Sequence, residues 1–222
     1  MTQHERREFV RTHRTAIFGY GRRHDGPSMT VIYYVMDGDD ILVSTIAGRG
    51  NVGGGLARLW SASGHTTTAL GRGGGDASAA DVVVIAVPGD TIEAALATVS
   101  GASGKLTIDA TNAFGPRDGA FPSLAHQVKS IIGGPVAKSF NTNSAALYDE
   151  IGKQRVRPSN LFAAEPEARP ITEQLIRDAG YDPVFLGGLE AARLVEDYLL
   201  IGMAVGNQVV PYFFRMAGPG EL

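Results

Sequence analysis

The stretch "ILVSTIAGRGNVGGGLARLW", residues 41 to 60, constrains this chain most: a β-branched apolar run enters a glycine-rich turn and leaves it as a helical pattern. The alternation continues to about residue 190. Strand patterns fall at "ILVSTIA" (41–47), "TTTAL" (66–70), "DVVVIAVP" (81–88), "KLTIDATN" (105–112), "PVAKSFNT" (135–142), "NLFAAE" (160–165) and "DPVFLGG" (182–188). Several are apolar almost throughout, as strands buried on both faces of a parallel sheet are. Helical spacing fills the gaps, in "GGGLARLWSASG", "DTIEAALATVSG", "SLAHQVKSIIG" and "EARPITEQLIRDAG". Each closes on or near a glycine able to take the left-handed conformation at a helix C-terminus. Strand alternating with helix predicts an α/β fold with a doubly wound, mostly parallel sheet. From Ala191 the chain reads as one long C-terminal helix carrying Leu194, Tyr198, Ile201 and Val205 on a single stripe. That helix is expected to cover the sheet or to pack across a homodimer.

The first forty residues follow another pattern. "RREFVRTH" reads as a short helix, and "TAIFGYGRR" and "SMTVIYYVM" as strands joined by the turn "HDGP". "DGDD" supplies a second hairpin turn into "ILVSTI". Ile41 to Ala47 therefore has two claimants, an antiparallel meander and a doubly wound sheet. In the sheet it would lie between "TTTAL" and "DVVVIAVP", and a strand with both edges taken cannot also pair with "VIYYVM". Losing it would uncover the core, so the expectation assigns it to the sheet. The chain then divides into an N-terminal helix and β-hairpin extension (1–40) and an α/β domain with its C-terminal helix (41–222).

A chain of 222 residues is long enough for one such domain with an appendage. Its formal net charge of -3 offers no basic face, so no nucleic-acid partner is expected. The short "ERR" and "GRRH" clusters read as a solvated terminus. The absence of cysteine excludes disulfides, thiolate metal sites and a cysteine nucleophile. "MTQHERREFV" is charged, and no apolar run follows it as in a signal peptide. The most apolar stretch (198–214) is interrupted by Gly206, Asn207, Gln208 and Pro211, too short and too polar to span a bilayer. The expectation is a cytoplasmic protein without a membrane partner.

Gly48, Arg49, Gly50, Asn51, Val52 and Gly53 fit the pattern G-x-G-x-x-G. Its first glycine permits the tight turn, its second lets the backbone approach a pyrophosphate, and its third lets helix and strand pack closely. The helix behind it offers free N–H groups and a positive dipole end to phosphates. Because the motif follows a strand and opens a helix, it predicts a dinucleotide site in a Rossmann-type sheet. After "TTTAL" comes Arg72, and no acid appears before Asp76. An acid there would hold a ribose 2′-OH, whereas an arginine suits a 2′-phosphate, which favours NADP over NAD. The other reading is a surface arginine beside a "GGG" loop.

Ala86, Val87 and Pro88 end the next strand and would border the adenosine and phosphates. Asn112, Asn141 and Thr142 end the two after it, at the carboxyl edge where doubly wound sheets bind ligands. All three are also ordinary turn formers. His65 and His126 lack carboxylate-spaced companions, no catalytic acid, base or nucleophile is evident, and no metal spacing occurs. A nucleotide site without such groups fits hydride transfer, in which the cofactor carries the chemistry and the protein supplies alignment.

"GRGNVGGGLARLWSASGH", "ADVVVIAVP", "IDATN", "VAKSFNTN", "NLFAAE" and "GGLEAARLVEDYLL" together resemble the coenzyme F-420-dependent NADP oxidoreductase family, over about four-fifths of the chain. The resemblance implies that NADP is held at Gly48, Gly50, Asn51, Val52, Gly53 and Arg72, followed by Ala86, Val87 and Pro88. It places "SFNTN" near the nicotinamide and a deazaflavin ring, and implies direct hydride exchange between NADPH and that small-molecule acceptor. Two features depart from the family. Only "GRGGGDASAA" joins the second and third strands, where the family often has a further helix. Residues 8–50 resemble instead the opening of the pyridoxamine-phosphate-oxidase-like split barrels, without that family's later basic residues for a cofactor phosphate.

Overall fold

The computed structural model describes residues 50–71, 73–114, 119–206 and 211–220, together with the backbone of the strands between residues 15 and 42. The chain divides into two units, Met1–Thr45 and Ile46–Leu222.

In the first unit β1 (Thr15–Arg22) pairs antiparallel with β2 (Gly26–Tyr33), with Thr15 opposite Tyr33 and Arg22 opposite Gly26. A second hairpin joins β3 (Val35–Asp37) to β4 (Asp40–Leu42), with Met36 opposite Ile41 and Val35 opposite Leu42. This pairing corrects the expectation that gave Ile41 and Leu42 to the parallel sheet. Only Gly38 and Asp39 separate the two strands. So short a loop costs little to close, and glycine suits the backbone of a two-residue turn. Residues 43–49 lie outside the described residues, as does the helix expected at "RREFVRTH".

The second unit begins with α1 (Asn51–Ala62), followed by β5 (Gly75–Asp76), β6 (Val82–Ile85), α2 (Ile92–Leu96) and β7 (Val99–Ser100). Next come β8 (Leu106–Asp109), α3 (Leu124–Ile132), β9 (Val136–Lys138), β10 (Ser159–Ala164), α4 (Arg169–Asp178), β11 (Asp182–Phe185) and α5 (Ala192–Gly206). Five strands form one sheet in the order β11-β10-β9-β8-β6. β6, β8 and β9 run parallel, β10 and β11 run parallel to each other, and β10 meets β9 antiparallel. The α/β class and the mostly parallel sheet are thus as the alternation predicts.

Alternate residues of each strand feed opposite faces, as the period of two requires. On one face Val83, Ile85, Val136 and Leu161 pack with Ile92, Val128, Ile132 and Val195 of the helices. On the other Ile108, Ala137 and Phe162 pack with Leu56, Trp60, Ile176 and Tyr181. Local chemistry sets the helix ends. Ser123 Oγ accepts from the His126 N–H at 3.2 Å to start α3, and Gly133, at φ 75°, closes it.

Three elements differ from expectation. Thr66–Leu70 forms no strand. A strand needs a ladder partner, and most of the partner assigned to it, 41–47, lies outside the described residues. "DTIEAALATVSG" is not one helix: a 3-10 turn (Gly89–Thr91) leads into the short α2, and Val99–Ser100 pairs with β5. The C-terminal helix is described as far as Gly206, and beyond residue 210 the chain passes Ser159 of β10 at Phe214 and Met216. There Ser159 donates its N–H to Phe214 O at 2.8 Å and its Oγ accepts from Met216 N–H at 2.9 Å. Of the predicted stripe, Leu194, Ile201 and Val205 are exposed, whereas Tyr198 rests on Phe214 with ring centroids 4.9 Å apart. Among the described residues no helix is long and apolar enough to cross a membrane.

Candidate functional site

Helix α1 starts at Gly50, which has φ −73° and ψ −176°. No side chain caps this end, and no acidic residue stands in its first turn. The leading N–H groups of a helix have no acceptor within it, so the start at Asn51, Val52 and Gly53 presents donors and a positive dipole end. Asn51 is exposed and Val52 and Gly53 are half-buried. Gly48, Arg49 and Arg72 lie outside the described residues.

The ends of three neighbouring strands are tied together beside one another. Beyond β6, where Ala86 and Pro88 are half-buried and Val87 is buried, Gly89 donates its N–H to Asn112 O at 3.2 Å. A Cβ on Gly89 would fall 2.9 Å from that same carbonyl oxygen, so only glycine allows the approach. Beyond β8, Asn112 Nδ2 donates to Asn141 O at 3.0 Å. Beyond β9, Asn141 Nδ2 donates to Asn112 Oδ1 at 3.1 Å and to Val195 O of α5 at 3.0 Å. Asn141 Oδ1 is buried and has no donor. Thr142 is half-buried, with its Oγ1 3.5 Å from Asn143 Nδ2.

A charged cluster lies directly beneath. Lys138 Nζ donates to Asp109 Oδ2 at 2.8 Å and to Thr111 O at 2.6 Å, and stands 3.6 Å from Glu196 Oε1. The side chains of Lys138, Asp109 and Glu196 are fully buried. Asp109 Oδ1 accepts from Thr111 N–H and Oγ1 at 2.9 and 2.6 Å. Glu196 Oε1 accepts from the Leu124 N–H at 2.8 Å, so a carboxylate meets the positive end of α3. One ammonium thus faces two carboxylates, and the helix end helps to balance the second. Removing one partner of a buried ion pair costs about 3–5 kcal/mol.

Between this cluster and Asn141 stands Phe140, at φ 61°. A bulky side chain in the left-handed region costs of order 1–3 kcal/mol and persists only where the surroundings dictate it. Here they do. The Phe140 ring is buried edge-on against Trp60, with centroids 5.4 Å apart. Asn160 Oδ1 receives Ser139 Oγ at 3.0 Å and Phe140 N–H at 3.4 Å.

An apolar cavity of about 440 Å³ runs along β6, the edge strand of the sheet among the described residues. Gly53, Ala57 and Trp60 of α1 wall it on one side, the stretch 66–70 on another, and residues 82–87 along its length. It therefore reaches from the sheet edge to the glycine-rich helix start and to Ala86 and Val87.

His65 has a carboxylate companion after all: its Nε2 lies 2.8 Å from Asp178 Oδ2. The two are 113 positions apart, a distance at which sequence spacing is silent. His126 Nδ1 lies 2.7 Å from Ser123 Oγ at the cap of α3. Among the described residues no group of three His, Cys, Asp or Glu could hold a metal.

No protein-family model matches the chain, and no curated protein matches it. Solved structures do. A protein of Arthrobacter sp. FB24 assigned as an F420-dependent NADP reductase is 23% identical, with a TM-score of 0.55, over 64% of this chain and 71% of its own. A hypothetical protein from Sinorhizobium meliloti is 25% identical, with a TM-score of 0.53, over 66% of this chain and 85% of its own. The reductive aminase from Aspergillus terreus, solved with NADPH and ethyl levulinate, is 17% identical, with a TM-score of 0.50. That match covers 72% of this chain and 62% of the aminase. The fold is Rossmann-like, shared with NAD(P)-dependent reductases.

Sequence reasoning passed over Lys138, Asp109, Glu196, Phe140 and Asn160. A signal for the first existed: a lysine inside the apolar run "PVAKSF" of a buried strand requires a buried carboxylate, and "IDATN" on the next strand carries one. The left-handed Phe140 left no mark in the sequence.

Proposed function

We propose that the chain is an NADP-dependent oxidoreductase that moves a hydride between NADPH and a small acceptor, with a deazaflavin of the F-420 type as the first acceptor to test. The observation that carries this reading is the uncapped, acid-free start of α1 at Gly50, set in the same fold as a reductive aminase solved with NADPH. The residues present fit the dinucleotide. The pyrophosphate suits the N–H groups at the start of α1, with Gly50 leaving its backbone open to approach. Asn141 Oδ1, a buried acceptor without a donor, suits a carboxamide N–H₂ such as that of nicotinamide. The bound nucleotide supplies the hydride.

The chain's own residues orient and exclude. Asn112 and Asn141 lock each other and α5, so the acceptor end of the site is rigid before anything binds. Ala86 and Val87 give an apolar wall that keeps water from a planar ring. The acid and base at these strand ends, Asp109 and Lys138, are buried and paired with each other, which accords with a reaction that needs no proton transfer by the protein. The test is the absorbance of NADPH in the presence of the oxidised deazaflavin, set beside flavin and quinone acceptors. Loss of the dihydronicotinamide band with one of them supports the reading. Tight NADPH binding with no oxidation by any acceptor would show a binding module instead.

A further inference from the structure

We propose that Lys138 is the positioning residue of this site, holding the Asn112–Asn141 pair in register with the C-terminal helix. The proposal rests on the dinucleotide reading above and adds a residue to it. Lys138 is buried, yet two of its contacts, Thr111 and Glu196, are each one residue away from a member of the asparagine network, Asn112 and Val195. Its bond to Thr111 O, at 2.6 Å, fixes the residue before Asn112. Its approach to Glu196, at 3.6 Å, fixes the residue after Val195, whose carbonyl takes the Asn141 amide at 3.0 Å. Just beyond its own strand, the strained Phe140 intervenes between Lys138 and Asn141.

One buried ammonium therefore joins β8, β9 and α5 beneath the asparagine pair. An apolar residue would fill the same space, and replacing a buried ion cluster with apolar groups is often neutral or stabilising. Stability alone thus does not account for charge here, whereas a directional tie between three elements does. Without Lys138 the loop at Thr111 and the first turns of α5 lose their common anchor. Asn141 Oδ1 then loses its fixed direction, while the start of α1, on a separate element, keeps its own.

The test compares two probes, NADPH and adenosine 2′,5′-bisphosphate, which lacks the nicotinamide half, against Lys138→Met. Because Lys138→Met leaves two carboxylates facing each other, a second variant, Lys138→Met/Asp109→Asn, removes one charge of each sign and keeps the fold testable. Thermal melts confirm folding of both. The expected result is an NADPH affinity about tenfold weaker, the size of one lost hydrogen bond to a buried group. The bisphosphate affinity should be unchanged, and the emission of bound NADPH should shift toward that of the free nucleotide. Equal weakening of both probes, or no change in either, overturns the positioning role. If the unaltered protein binds neither probe, the dinucleotide reading fails and the proposal falls with it.

Discussion

The ring of Tyr148 lies directly over the Cα of Gly55: a Cβ built there would come within 2.3 Å of Tyr148 Cδ2. Tyr148 belongs to the 3-10 helix Ala145–Lys153, so this contact sets how closely that helix approaches α1. In an exposed helix, glycine to alanine stabilises by about 1 kcal/mol. Here the ring is fully buried and cannot yield, and overpacking of a core costs about 1–3 kcal/mol. Gly55→Ala should therefore lower the melting temperature. A raised melting temperature would show that the two helices separate freely.

Arg72→Ala tests the choice of cofactor. A charge-assisted bond from an arginine to the 2′-phosphate contributes roughly 1.5–3 kcal/mol, which is about ten- to a hundredfold in affinity. NADH, without that phosphate, gains nothing from it. The variant should weaken NADPH by this factor and leave NADH nearly unchanged, with the difference shrinking as salt is added. Equal losses for both would make Arg72 a support of its loop.

The "GRGGGDASAA" loop predicts an acid dependence. Hydrogen bonds from the Ser78 hydroxyl and N–H, and from Ser100 Oγ, hold the Asp76 carboxyl below the usual aspartate range. A lowered folded value means that the contribution is present above the unfolded value, about pH 4. It is lost as pH falls through the lower folded value. Melts of the protein and of Asp76→Asn should differ at about pH 6, and the difference should shrink as pH falls below about 4. A difference that does not change with pH would assign it to packing.

Deleting residues 1–39 should leave a folded domain that binds NADPH. The unit from Ile46 onward has its own sheet and both of its core faces. An unfolded product, or one that no longer binds, would make the N-terminal hairpins part of the core.

The parts legible in the sequence were those written in periodicity. The apolar runs at Val82–Ile85, Leu106–Asp109 and Ser159–Ala164, and the closing Gly133, follow from local pattern alone. Thr66–Leu70 shows the limit of that reasoning, because a strand is a pairing and a pairing is not local. Ile41 shows it differently: the same residues suit a hairpin and a parallel sheet, and Ile41 pairs with Met36 in the hairpin. Asn112 and Asn141 could be placed at strand ends from the sequence. Their mutual hydrogen bonds, the ties of Lys138 beneath them and the His65–Asp178 contact join residues 27 to 113 positions apart, which no spacing rule reaches.

The central claim is a dinucleotide seated on the start of α1, and Gly50→Val tests it most directly. The backbone of Gly50, at φ −73°, is open to any residue, so valine should not prevent folding. Its side chain would occupy the space the pyrophosphate needs. Fluorescence titration of NADPH into both proteins, with circular dichroism to confirm the fold, gives the answer. The account predicts saturable binding to the unaltered chain and none to a folded Gly50→Val. Equal affinity in the two would contradict it.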